Sequence, residues 1–113
     1  QTLDNGFPES LASIANDAAR ILGLEWVATP GQFALNADYL GGGYGVVGDL
    51  EREAIVLAAR TEGLFVDPVY SARALGGMIH MIDQGTLPAG ETILFWHTGG
   101  TPALFAYADA LDA

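Results

Sequence analysis

The chain has 113 residues, 14 acidic and 4 basic, a formal net charge of -10 and 50% hydrophobic residues, which excludes a disordered tail and is enough to bury about two-thirds of the unfolded chain's surface around one core. Four arginines and no lysine do not make the basic face that a nucleic acid or an anionic membrane surface needs, and no apolar run approaches the ~18 residues that would cross a bilayer. Without cysteine there is no disulfide, thiolate metal site or thiol nucleophile, and the start at Gln1 has no signal-like charged and apolar pattern.

Pro8 suits a first helical turn, Leu11, Ile14, Ala15, Ala18, Ile21 and Leu22 recur at steps of three and four, and Gly23 follows as a stop. The pattern predicts an amphipathic helix over 8–23. From Gln32 to Tyr39, Phe33, Leu35, Ala37 and Tyr39 alternate with Gln32, Ala34, Asn36 and Asp38, which predicts a half-buried strand. Residues 41–48 hold five glycines around Tyr44. Such a loop is either a flexible connector or a place where backbone lies close to a ligand, and Tyr44 is either its hydrophobic anchor or a lid residue. Asp49 then reads as an N-cap, with Glu51 and Glu53 in the first turn of a helix that runs to about Thr61 and ends at Gly63.

Leu64-Phe65-Val66 predicts a short buried strand, and Asp67-Pro68 breaks the chain before a helix over about 69–84. The apolar face of that helix has Ala74, Leu75, Met78, Ile79 and Ile82. Gly76 and Gly77 inside it cost about 1 kcal/mol each against alanine, which points to close packing on another backbone. Thr92 to Trp96 is a continuous apolar run, suited to a central parallel strand covered on both faces. His97-Thr98-Gly99-Gly100 turns the chain, and Pro102 opens a last helix with Leu104, Phe105, Ala108 and Leu111. The predicted order α, β, α, short β, α, β, α is an α/β fold with a partial parallel sheet and flanking helices, and the few strands make it look like a piece of a larger protein.

Besides the Tyr44 loop, two places can carry chemistry. The strand, turn and helix at 93–106 would put Thr98 and free N–H donors at the carboxyl end of a strand, or form a plain tight turn. Tyr70, opening a helix after a buried strand, is a phenol for general acid or base work, or it packs its ring while Ser71 caps the helix. His80 and His97, without accompanying carboxylate spacing, do not read as metal ligands; His80 reads as helix surface or a satisfied core group, and His97, at a strand end beside Thr98, is the better candidate for an active-site rim.

Asp67-Pro68-Val69-Tyr70, then Gly77-Met78-Ile79, then the run from Phe95 through His97-Thr98-Gly99-Gly100 to Pro102-Ala103-Leu104-Phe105-Ala106-Tyr107 resemble the pyridoxal-phosphate (PLP) enzymes of the D-cysteine desulfhydrase and 1-aminocyclopropane-1-carboxylate (ACC) deaminase family. Asp38-Tyr39, Gly43-Tyr44-Gly45 and Glu62-Gly63 fit as well. The resemblance implies a two-domain PLP-enzyme fold, tryptophan synthase β-like (fold type II), of which residues 1–113 would be a C-terminal fragment of the large domain with no internal boundary. It implies a cytoplasmic lyase, a homodimer, that takes a small amino acid, with no nucleic-acid or membrane partner. Its Schiff-base lysine would belong to the remaining N-terminal part, so this lysine-free chain alone would be inactive. Tyr44 and Tyr70 match two catalytic tyrosines. Ser71, Thr98 and Gly99 match cofactor-binding positions, and Ser71 and Thr98 are expected to face one cavity near the pyridine nitrogen. ACC deaminases have glutamate and leucine where Ser71 and Thr98 stand, which favours β-elimination from D-cysteine or cysteate, to pyruvate and ammonia, over ACC deamination. Arg73 stands where lysine is common, a change expected at a surface contact. A non-enzymatic acidic α/β module that dimerises through strand edges is the third reading.

Overall fold

The computed structural model describes residues 6–88 and 90–112. These form two compact units, Gln1–Asp38 and Tyr39–Ala113.

In the first unit, α1 (Phe7–Ile21) starts after Gly6, with Pro8 in its first turn and Leu22 as C-cap. Its buried stripe is Ala12 and Ala19, whereas Ile14, Ile21 and Leu22 are exposed, so the large side chains of the predicted apolar face are not the ones covered. The chain returns along this helix because the Asn16 amide fixes the Ala28 backbone at both ends. Its Nδ2 donates to the Ala28 carbonyl at 3.1 Å and its Oδ1 accepts the Ala28 N–H at 2.7 Å. A single 3₁₀ turn, Pro30–Gln32, follows.

The second unit is built on two packed helices, α2 (Asp49–Glu62) and α3 (Ser71–Asp83). Gly48, not Asp49, is the N-cap of α2, and Gly63 ends it in the left-handed conformation at φ 66°. The two helices approach closely because α3 has no side chain where they meet. A Cβ on Gly76 would lie 2.8 Å from Leu50 Cγ and 3.0 Å from the Leu50 carbonyl oxygen. One on Gly77 would lie 3.0 Å from the ring of Tyr39. The predicted close packing of this glycine pair is therefore observed. Ala54, Ile55, Ala58, Val66 and Ala72 form the buried core, with Leu75, Leu104 and Leu111 packed against it. The predicted last helix is two short ones, α4 (Ala103–Ala106) and α5 (Ala108–Leu111), broken at Tyr107. Arg52 Nη1 donates to the Ala110 carbonyl at 3.2 Å and ties α5 to α2.

The predicted α/β class and its partial parallel sheet are not observed: among the described residues every regular element is helical and there is no strand. Phe33 to Ala37, Leu64 to Val66 and Thr92 to Trp96 are irregular, and none of the three is paired to another segment in a backbone ladder. A strand exists only when a neighbouring backbone takes up its N–H and C=O groups. The apolar run at 92–96 signalled burial, yet Leu94 is 80% and Trp96 76% exposed.

Candidate active site

The site is assembled around Asp67, at the entrance to α3. Its Oδ2 accepts the backbone N–H groups of Val69 at 2.9 Å and Tyr70 at 2.8 Å, and its Oδ1 accepts the Ser71 N–H at 2.8 Å and the Ser71 hydroxyl at 2.6 Å. In return, the Asp67 N–H donates to Ser71 Oγ at 2.8 Å. The otherwise unpaired first-turn donors of α3 thus find a buried carboxylate. Burial pushes the Asp67 pKa up, but the hydrogen bonds from the Ser71 hydroxyl and the Ser71, Tyr70 and Val69 amides outweigh it and hold the group below its ordinary 3.8.

Tyr70 is thereby fixed at the helix mouth with its ring outward. Its hydroxyl lies 2.7 Å from that of Tyr44, and the rings meet edge to face with centroids 5.9 Å apart. The Tyr44 bond first, then desolvation and the acidic groups of Tyr44, Asp67 and Tyr107, raise the Tyr70 pKa above its ordinary 10. Tyr70 is therefore a neutral phenol at pH 7. Tyr107, at the break between α4 and α5, belongs to the same cluster: a Cβ on Gly45 would sit 2.9 Å from its hydroxyl. Gly45, at φ 71°, is glycine for both its conformation and that approach.

The 97–101 turn is pinned to residues 65–67. His97 Nδ1 accepts the Gly99 N–H at 3.0 Å, so Nε2 carries the proton that is donated to the Phe65 carbonyl at 3.1 Å. The Thr101 hydroxyl donates to the same carbonyl at 3.0 Å. Gly100, at φ 90°, lies so close to Asp67 that a Cβ there would be 2.7 Å from the carboxylate carbon.

Of the predicted site residues, Tyr44 and Tyr70 are brought into contact. Ser71 is 3% exposed, with its hydroxyl proton given to Asp67 rather than to open space. Thr98 is exposed, and among the described residues its hydroxyl has no hydrogen-bond partner. The Gly99 N–H is taken by His97. His80 is on α3, where its Nδ1 lies 2.8 Å from the Tyr39 hydroxyl, and no three or more histidine or carboxylate groups are gathered around a metal position among the described residues. Sequence reasoning missed Asp67 as the organiser, Tyr107 as a third phenol, and Arg73, which is not at a surface contact but is 14% exposed and ion-paired with Glu51 at 2.6 Å. Asp67 and Tyr107 both stood inside the quoted motifs, and nothing in the pattern marked what they touch.

No protein-family model matches the chain. It is 44% identical to a D-cysteine desulfhydrase of Salmonella paratyphi C over 84% of this chain and 31% of that protein. To the D-cysteine desulfhydrase of Salmonella typhi it is 43% identical with the same coverage. In structure it superposes on a crystal structure described as an ACC deaminase homologue with a TM-score of 0.70 and 34% identity, over 91% of this chain and 30% of the other. The chain is thus similar in sequence to D-cysteine desulfhydrases and in structure to an ACC deaminase homologue. It spans about a third of the length of the relatives it matches. No helix among the described residues is long and apolar enough to cross a membrane.

Proposed function

We propose that this chain forms the phenol-bearing wall of a PLP-dependent carbon–sulfur lyase about three times its length, which eliminates the β-substituent of a D-cysteine-like amino acid. The observation that carries the reading is the 2.7 Å contact between the Tyr44 and Tyr70 hydroxyls. In an O–H···O pair one hydroxyl spends its proton on the other, and the second keeps a proton to give away. Two hydroxyls so arranged present one free O–H to whatever sits in front of them, and they stabilise the oxyanion left behind by sharing the remaining proton. For cysteine that free proton goes to the sulfur as the carbon–sulfur bond breaks. With water the products are pyruvate, ammonia and hydrogen sulfide. The 44% identity to D-cysteine desulfhydrases supports this substrate over ACC.

PLP supplies an electron sink for the carbanion at the substrate α-carbon. The residues of this chain fit it on one side only. Without a lysine the attachment must come from the rest of the enzyme. Ser71 does not have a free proton to offer a ring nitrogen, because Asp67 holds it. Thr98, exposed beside the Gly99-Gly100 turn, would be the hydroxyl of this chain left to hold that nitrogen, and Ser71 contributes by locking Asp67 and the Tyr70 backbone.

The test is product analysis of the complete enzyme with D-cysteine, cysteate and ACC in parallel. Sulfide and pyruvate from D-cysteine, well above 2-oxobutanoate from ACC, are expected. Ammonia and 2-oxobutanoate from ACC alone would assign the wall to ring opening instead.

A further inference from the structure

We propose that Arg73 is a positioning residue, which braces the glycine-rich loop through three of its carbonyls and so fixes the Tyr44 hydroxyl against that of Tyr70. The loop cannot hold itself. Gly41, Gly43 and Gly45 have φ of 59°, 121° and 71°, and the loop's own turn bonds are long, Gly43 N–H to the Leu40 carbonyl at 3.3 Å and Val46 N–H to the Gly43 carbonyl at 3.4 Å. The Tyr44 side chain is 80% exposed, so little packs on its ring besides the edge of Tyr70.

Arg73 supplies what the loop lacks. Nη1 donates to the Leu40 carbonyl at 2.7 Å and the Gly43 carbonyl at 3.1 Å, Nη2 to the Val46 carbonyl at 2.7 Å, and Nε to Glu51 at 2.6 Å. Three bonds from one rigid, planar group thus hold both ends and the middle of the segment that bears Tyr44, and the fourth goes to Glu51. The guanidinium itself is aimed from α2: Glu51, 3% exposed in its side chain, takes Nε with one oxygen and the Gly48 N–H, at 2.8 Å, with the other. Gly41 allows the approach, since a Cβ there would lie 3.1 Å from Nη2. Arg73 is also two residues beyond Ser71 on α3, the helix whose mouth presents Tyr70. One helix therefore places both phenols, Tyr70 directly and Tyr44 through Arg73.

The inference rests on reading Tyr44 and Tyr70 as substrate-facing groups, but its test reads tyrosine geometry and not turnover, so the two can fail separately. The full 113-residue chain, with ¹³C-labelled tyrosine rings, is compared as wild type, Arg73→Ala and Arg73→Lys by NMR. In the alanine variant, with helix content retained, the Tyr44–Tyr70 ring contacts should disappear and Tyr70 should titrate closer to an ordinary tyrosine. Lysine, with three donors on one nitrogen, should restore part of both. Unchanged ring contacts in a folded Arg73→Ala chain would overturn the proposal. Should the variants not fold, the wild type decides: a Tyr44 amide order parameter near the ~0.85 of rigid backbone is expected, and one below about 0.6 would overturn it.

Discussion

Asp67 and Ser71 form a closed reciprocal pair. The carboxylate accepts the serine's amide and hydroxyl, at 2.8 and 2.6 Å, while the serine oxygen accepts the aspartate's amide at 2.8 Å. Five residues, Asp67 to Ser71, are thereby fixed as one turn, and Tyr70 lies within it. Ser71→Ala should remove both hydroxyl bonds and leave a buried N–H and a carboxylate oxygen short of partners. The expected loss is about 1–3 kcal/mol of folding stability, read from urea unfolding followed by circular dichroism. A loss too small to measure would mean that water enters this turn.

Acid should unfold the second unit through two carboxylates. Burial raises the Glu51 pKa, but the Arg73 hydrogen bond, the backbone bonds and the Arg73 charge overcome it and hold the group below its ordinary 4.5. Asp67 is held below 3.8 in the same way. Both folded-state values are lower than the unfolded ones, so their stabilisation is complete above the unfolded pKa values. It is lost as the pH falls through the folded ones. Stability should be flat from neutral pH to about 5 and then decline below roughly pH 4. Glu51→Gln should be less stable at pH 7 and should lose less between pH 5 and 2. A parallel decline in wild type and variant would exclude Glu51 as a source of the acid sensitivity.

The glycines of α3 separate two physical effects. Alanine is favoured over glycine in a helix by about 1 kcal/mol, so Gly76→Ala would stabilise an isolated helix. Here the new Cβ would lie 2.8 Å from Leu50 Cγ and 3.0 Å from the Leu50 carbonyl oxygen, and backbone cannot yield as a flexible side chain can. Overpacking of this kind costs about 1–3 kcal/mol, so a net loss and a displacement of α3 from α2 are expected. A rise in the unfolding midpoint would show that the two helices part without penalty.

The helices were legible because their signals are local. Pro8, Gly23 and Gly63 mark ends that the structure keeps to within two residues, and the glycine pair at 76–77 announced a close approach that is present. The sheet was misread because apolarity reports a demand for burial and says nothing of the partner that meets it. Leu64, Phe65, Leu94 and Trp96 carry that demand and stay exposed. Within the site, the contact of Tyr44 with Tyr70 spans 26 positions and had no sequence signature, since the family resemblance assigned both residues to one site without bringing them into contact. The Arg73 brace reaches 33 positions back to Leu40 and had no sequence signature, since an arginine on a helix reads equally well as a solvated charge.

The central claim is that the paired phenols face the substrate and that one of them moves a proton. The most direct measurement is kcat and KM for D-cysteine of the complete enzyme as wild type, Tyr70→Phe and Tyr44→Phe. Loss of a positioned proton donor lowers kcat by roughly 10²- to 10⁴-fold. A fall in that range is expected for at least one variant, with KM nearly unchanged. Both variants retaining kcat within about threefold of wild type, less than one decade of the 1.36 kcal/mol scale, would contradict the assignment.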